Sequence, residues 1–451
     1  MPEITLNPRI FHEQNVEDDL IVHAVPVENA THPVINKPSI LFIRNARTGV
    51  TYTIPIEHPD SVQQYSIHKF VADFISPYRG KIWALDKKVF GHLTGIPNVF
   101  DINFLNHIQT SETFVESDYD TRAHFLIRKN SGIHPRINLA IPLLKHKEAF
   151  NNFADDSTEL LKQYPPDVGF IKFNDLIIET LRLLEANGLF VDRELFKQRF
   201  GIDVGSAGIV HSQYNVYTAT GRPSNRFDSV NYAALNSEDC TRKCFRSRWG
   251  DDGRLIAIDY TTFHPRIVTY LTKYSLSSDI NIYEYLAQLY FQKKSVDDID
   301  IDEAKTLTFR QLYGGVEDKY SHIKWLASLK SYIGSLWECF QRDGYITTPL
   351  FQRKITNKHI LDPNPPKVFN YILQATEGEI SIPRLRMVMD FLKSKRTRPI
   401  LYTYDAVLYD FHKEDGKETL AEIRRIMSFD NKFPTKTYIG DTYHKMNHIA
   451  S

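Results

Sequence analysis

Arg254-Leu-Ile-Ala-Ile-Asp259-Tyr-Thr-Thr-Phe-His264-Pro-Arg266 is the stretch on which the fold of this chain turns. Leu255 to Ile258 is an apolar run of strand length, and Asp259 closes it where the chain turns toward a helix. A strand end holds a carboxylate rigidly with its head exposed, as metal ligation requires. Pro399-Ile-Leu-Tyr-Thr-Tyr404-Asp405-Ala-Val-Leu-Tyr409-Asp410 offers a second such group: Asp405 interrupts an apolar double strand, where a charge is costly unless something pairs with it. Two such aspartates meeting in space would hold two magnesium ions roughly 3.5–4 Å apart, the geometry that stabilises the attacking and leaving oxygens of phosphoryl transfer. Taken singly, either aspartate reads as a turn or cap residue.

Between them lies Ala304-Lys305-Thr-Leu-Thr-Phe309-Arg-Gln-Leu-Tyr313-Gly314-Gly315, in which Lys305, Phe309 and Tyr313 recur every fourth residue and share one helical face. One cation and two rings on one surface can neutralise a triphosphate and stack against sugar and base. The competing reading packs both rings into the core and leaves the lysine to reach solvent. Thr218-Ala-Thr-Gly221-Arg222-Pro-Ser224 presents an arginine after a glycine, suited to phosphate or a minor-groove base edge, or simply to a turn. Asn370 and Gln374, four apart on a helical segment, suit the acceptors common to all base pairs in the minor groove, or a solvated face.

Working outward, 451 residues with 42% hydrophobic and 24% charged side chains describe an ordinary globular chain and exclude a disordered one. Fifty-five basic and 55 acidic side chains cancel, so nucleic-acid binding must come from local clusters. Such clusters occur: Arg222, Arg226, Arg242, Lys243, Arg246 and Arg248, and later Arg384, Arg386, Lys393, Lys395, Arg396 and Arg398. The acidic start through Glu13, Glu17, Asp18 and Asp19 does not resemble a signal peptide, and no stretch is apolar enough to span a membrane. Cys240, Cys244 and Cys339 are too few for a disulfide framework and point to a reducing, cytoplasmic setting. The pair at 240 and 244 could hold a metal on one helix face, but structural thiols are expected.

Ser39 to Arg44 and Val50 to Ile56 read as a hairpin around Asn45-Ala-Arg-Thr-Gly49, opening an α/β or α+β unit that ends near Tyr164-Pro165-Pro166. Leu176, Ile177, Thr180, Leu181, Leu183 and Leu184 predict a helix stopping at Asn187-Gly188. Further helices are predicted over 265–295, 303–313, 319–343 and 367–394.

In this order the pieces resemble the motifs of family A, or Pol I-type, DNA polymerases: the T-x-T-G-R segment, motif A around Asp259, motif B from Lys305 to Gly314, the N-x-x-x-Q helix, and motif C around Asp405. The resemblance runs from Phe173 nearly to the end of the chain. It implies a mixed α/β and α+β fold: a ribonuclease H-like, degenerate 3'-5' exonuclease domain over 1–165, then a right-hand polymerase domain over 166–451. The palm would cover about 166–270 and 362–451, and the fingers about 271–361. Asp259 and Asp405 look like the metal pair with the Tyr260 carbonyl as a further magnesium ligand, Lys305 like the triphosphate lysine, Phe309 and Tyr313 like nucleotide-stacking residues. Arg222, Asn370 and Gln374 look like sensors of the primer end. The implied partners are a DNA primer-template and dNTPs, with two Mg2+ ions as cofactor.

Several departures alter what is expected. His264 stands where motif A has glutamate, at the position that limits access of a ribose 2'-hydroxyl. Ile301 stands where an arginine precedes the motif B lysine, leaving Arg310 and Lys319 as nearby substitutes. Tyr404 and Ala406 replace the residues flanking Asp405. Only Gly201 to Val210 occupies the place where the family inserts a helical thumb, so weak DNA retention is expected, or a processivity or replisome protein that substitutes. The nuclease motifs align with Ala24, Pro26, Ala84 and Lys88, leaving Asp101 and Asp167. A dead nuclease on a small, stripped polymerase suggests a bacteriophage or other mobile replicon acting in a host cytoplasm. Two alternatives stay open: a polymerase with relaxed sugar choice or RNA polymerase activity, and a decayed polymerase that only binds primer-template junctions.

Overall fold

Strand β1 (Leu20–Pro26) is apolar almost throughout, and the structure buries both its faces at the centre of a sheet. It pairs antiparallel with β2 (Pro38–Asn45), which pairs antiparallel with β3 (Thr51–Pro55). On its other side it pairs parallel with β4 (Ile82–Ala84), and β4 with β5 (Phe100–Asp101), giving the order β3-β2-β1-β4-β5. The parallel pair β4 and β5 is joined through helix α1 (Lys87–Thr94), as a parallel connection requires. The predicted hairpin turn is present: the Asn45 side chain accepts from the Arg47 and Thr48 amides at 2.8 Å each, and Gly49 takes a φ of 71° that a Cβ would disfavour. Helices α2 (Ile102–Thr110) and α3 (Leu143–Gln163) complete the main elements of this unit, Met1–Arg182.

This computed structural model describes residues 7–28, 31–61, 65–114, 136–225, 230–236, 238 and 240–449. Arg226 lies outside them. The predicted helix ending at Asn187 is seen as Val168–Lys172, a wider turn over Phe173–Ile178, and Glu179–Asn187, after which Gly188 (φ 61°) stops it.

The second unit, Leu183–Ser451, is built on an all-antiparallel sheet of β6 (Gly253–Tyr260), β7 (Arg398–Tyr402), β8 (Ala406–His412), β9 (Thr435–Gly440) and β10 (Asn447–Ile449), in the order β7-β8-β6-β9-β10. The two sequence stretches that carry the candidate aspartates are thus neighbours: β6 and β8 are hydrogen-bonded side by side. Helix α4 (Phe263–Leu271) comes directly after β6, and α5 (Ile282–Phe291), α6 (Asp298–Gly314), α7 (Lys324–Asp343), α8 (Pro365–Phe391) and α9 (Gly416–Met427) come later in the chain. The segment 265–295, expected to be continuous, is two helices. The break falls where Lys273 adopts a φ of 54° and the buried Arg266 guanidinium donates to the carbonyls of Ser277 and Ser278 at 2.8 and 3.0 Å. Gly201–Gly208 contains neither helix nor strand.

Helix α8 anchors the helical side of this unit. Asn364 caps it by accepting from the Lys367 amide, and Val368, Ile372 and Ala375 enter one core cluster with Phe340 and Ile355. Helices α4, α6 and α7 all pack against it.

Candidate active site

Leu255, Ile256 and Ile258 are at most 1% exposed, which fixes β6 in the core and leaves Asp259 near its end at the sheet rim. Asp259 lies opposite Ala406 in the ladder, and the Tyr260 amide donates to the Asp405 carbonyl at 2.8 Å. Asp405 therefore sits beside Asp259 across the strand pair. Its turn is tight: the Thr403 amide donates to Ala406 O at 2.9 Å, the Asp405 amide to Thr403 O at 3.0 Å, and Tyr404 between them has a φ of 72°. A bulky residue there is strained by about 1–2 kcal/mol, a cost that commonly marks a functional turn.

The electrostatics show a carboxylate pair short of positive charge. Burial, followed by the charge of Asp405, pushes Asp259 up to about 7, with Lys436 opposing. Burial also raises Asp405, the Glu377 carboxylate adds to the rise, and Arg222 and His264 pull it back. Asp405 nonetheless stays exposed to solvent. Among the described residues no group of three or more His, Cys, Asp or Glu side chains is gathered as for a metal. Tyr260 can add only main-chain atoms: its ring stacks on Phe263 at 4.1 Å, and its hydroxyl donates to Met427 O at 2.8 Å. Two oxygen-donor carboxylates beside a strand-end carbonyl, with charge to spare, fit a hard divalent cation.

Helix α6 presents the predicted face. Asp297 and Asp300 close a capping box at its start, while Ala304, Thr308, Gln311 and Leu312 face inward. Lys305 and Tyr313 are consequently exposed and Phe309 half-buried, which rules out the reading that buries both rings. The Phe309 and Tyr313 rings lie 6.0 Å apart and within 6° of parallel. Lys305 makes no ion pair among the described residues. The substitutes for the missing arginine are otherwise engaged, since Arg310 and Lys319 both turn to Glu317 at 2.8 and 3.0 Å.

The residue that joins these parts is Glu377 on α8, only 1% exposed, which the sequence reading missed. Its Oε2 lies 2.9 Å from Arg222 Nε and 3.2 Å from His264 Nε2, and its Oε1 accepts from Arg222 Nη2 at 3.3 Å. His264 Nδ1 meets the Tyr313 hydroxyl at 2.5 Å, and Arg222 stacks its guanidinium 3.7 Å from the Tyr404 ring centre. Desolvation of its hydroxyl and the nearby Glu377 charge raise the Tyr313 phenol above its usual value, so it keeps its proton. Asn370 gives its amide to Tyr313 O at 3.2 Å, leaving its buried Oδ1 unpaired, whereas Gln374, one turn on, is half-buried. The only sequence signal for Glu377 was its place seven residues after Asn370 and three after Gln374, on the same face.

No protein-family description matches the chain, and no curated protein matches it in sequence. Its structure does match a solved one: the POL domain of Pol1 from M. smegmatis, in complex with DNA primer-template and dNTP. The match has a TM-score of 0.72 at 14% identity and covers 96% of this chain and 97% of the other. The fold is that of a Pol I polymerase domain.

On this polymerase fold, the basic clusters are mostly spent within the chain. Arg248 pairs at 2.8 Å with the fully buried Asp410, Arg246 lies 3.3 Å from Asp192, and Arg242 donates to Leu235 O and stacks on Tyr443. In the second cluster Arg384 stacks on Phe429, Arg386 and Lys393 meet Asp390, and Arg396 meets Glu414. Lys243 and Arg398 remain exposed, and Lys395 is half-buried. Cys244 is buried and donates to Thr241 O, and Cys240 lies 3.7 Å from His444, so the two thiols do not converge.

In the first unit, Asp101 and Asp167 are helix caps. Asp101, fully buried, accepts from the Phe104 amide at 2.8 Å and the Lys87 amide at 3.0 Å; Asp167 accepts from Phe170 at 2.8 Å. Ala24, Ala84 and Lys88 are buried. No described helix is long and apolar enough to cross a membrane.

Proposed function

We propose that the chain is a template-directed DNA polymerase that extends a primer 3' end with deoxynucleotides. The observation carrying this reading is the meeting of Asp259 and Asp405 at adjacent strand ends, both with raised proton affinity, within reach of the Arg222–Glu377–His264–Tyr313 array. Asp259, Asp405 and the Tyr260 carbonyl would hold two Mg2+ ions, which when bound supply stabilisation of negative charge on the attacking and leaving oxygens. The primer 3'-hydroxyl attacks the α-phosphate in line, and pyrophosphate leaves. Lys305 offsets the charge of the triphosphate, while Phe309 and Tyr313 provide flat surfaces for base and sugar. Arg222, Asn370 and Gln374 would face the primer end; Asn370 gives one amide hydrogen to Tyr313 O and keeps the second for a base edge.

The first unit is read as a nuclease-like domain without nuclease chemistry, because its remaining aspartates cap helices. Gly201 to Val210 is read as the remnant of the thumb. Loss of that grip on duplex phosphates leaves DNA retention weak, or dependent on a processivity or replisome protein. The small size fits a bacteriophage or other mobile replicon.

Extension of a labelled primer on a defined template, with Mg2+ and each dNTP in turn, tests the reading. Template-matched addition is expected; absence of any addition overturns it and favours a primer-template binder. His264 motivates a second reading, polymerisation of ribonucleotides, against which stands Phe309, where ribonucleotide enzymes of this kind carry methionine. The same assay with ribonucleotides separates the two.

A further inference from the structure

We propose that Glu377 sets sugar selectivity: it holds His264 against Tyr313 with both imidazole nitrogens hydrogen-bonded, so that the ring has no partner to offer a ribose 2'-hydroxyl. This rests on the polymerase reading, with His264 beside the sugar of the incoming nucleotide.

A neutral imidazole has one donor and one acceptor. Here Nε2–H donates to Glu377 Oε2 at 3.2 Å, which leaves Nδ1 to accept from the Tyr313 hydroxyl at 2.5 Å. This tautomer is set by the partners: a carboxylate can only accept, and the phenol has a single hydrogen to give. Both nitrogens and that hydrogen are then spent, so the ring offers the sugar a wall with no free donor or acceptor.

A 2'-hydroxyl pressed against this wall loses its water and gains no hydrogen bond from the ring, whereas a deoxyribose has no hydroxyl there to desolvate. One unsatisfied hydroxyl discriminates by roughly 10- to 100-fold. Glu377 is a positioning residue in this scheme, acting through His264. Its burial is tolerated because Arg222 pairs with it at 2.9 Å, and Arg222 in turn rests on Tyr404, next to Asp405. The sugar wall and the aspartate turn are thereby tied to one carboxylate.

The test measures kcat/KM for a deoxyribonucleotide and its ribonucleotide opposite one template base, in the unaltered chain, Glu377→Ala, Glu377→Asp, His264→Ala and the Glu377→Ala/His264→Ala double variant. A primer-end defect from disturbing Arg222 lowers both sugars alike, so the ratio isolates the wall. The unaltered chain is expected to prefer deoxyribose. Glu377→Ala and His264→Ala should each erode that preference by roughly tenfold, and the double variant no further than either alone. Glu377→Asp keeps the charge beside Arg222 but withdraws the acceptor from Nε2, and should erode it severalfold; it decides the matter if Glu377→Ala does not fold. An unchanged ratio in a folded Glu377 variant, a double variant showing the product of the single effects, or no sugar preference at the outset overturns this inference alone. An unaltered chain that extends with neither sugar overturns the polymerase reading, and this inference with it.

Discussion

Replacing Asp259 by asparagine should make the metal-free protein more stable, and only above acidic pH. Burial and the charge of Asp405 hold the Asp259 carboxyl at about 7, against the ordinary 3.8. The folded chain therefore binds this proton more tightly than the unfolded chain. Near pH 3 the group is protonated in both states and contributes nothing. As pH rises past 3.8 the unfolded chain ionises freely while the folded one resists, so stability is lost progressively until pH passes about 7. The difference, 7 − 3.8, corresponds at ~1.4 kcal/mol per tenfold to about 4 kcal/mol, an upper bound because the cleft is open to water. Half of that would shift the melting temperature by roughly 4–8 °C for a unit of this size. Thermal melts in chelator at pH 8 and pH 3 should show Asp259→Asn melting higher than the unaltered chain at pH 8 and equal to it at pH 3. Equal melting at pH 8, or a gap that persists at pH 3, would refute the picture of two carboxylates short of positive charge. Adding Mg2+ at pH 8 should stabilise the unaltered chain and close the gap, because ligand binding to the folded state alone adds stability.

The contacts set three further outcomes. Arg222→Ala strands the buried Glu377 carboxylate and should cost about 3 kcal/mol, read as a lowered denaturation midpoint, along with weaker primer extension. Asp101→Ala removes a buried helix cap and should cost ~1–2 kcal/mol, while degradation of a labelled single strand stays at background before and after the change. Lys305→Ala, at an exposed position, should leave the melting temperature within about 1 °C and raise the nucleotide KM on the order of tenfold in extension kinetics.

The parts of the site that sequence could show were those written in local periodicity. Apolar runs ending in Asp259 and Asp405 located two strands, and the four-residue spacing of Lys305, Phe309 and Tyr313 located one helix face; the structure has both. The hairpin around Asn45–Gly49 was legible for the same reason. Partnerships between distant residues were not legible. Arg248 looked available to DNA until its partner, the buried Asp410, lay 162 residues away on a neighbouring strand. Arg310 and Lys319 looked like substitutes for a missing cation, yet both pair with Glu317 at the surface. Glu377 looked like one more charge on a helix, and only the packing of α8 shows it buried between Arg222 and His264. The break between α4 and α5 was missed because it depends on Arg266 reaching forward to loop carbonyls, a contact that carries no periodic signal.

The central claim, that Asp259 and Asp405 form one metal-dependent centre for adding nucleotides to a primer, is tested most directly by primer extension with Asp259→Ala and Asp405→Ala beside the unaltered chain. Primer-template affinity is measured in parallel. Each variant should lose extension by about a thousandfold or more while its DNA Kd stays within about threefold of the unaltered value. Extension by either variant at the unaltered rate would contradict the claim.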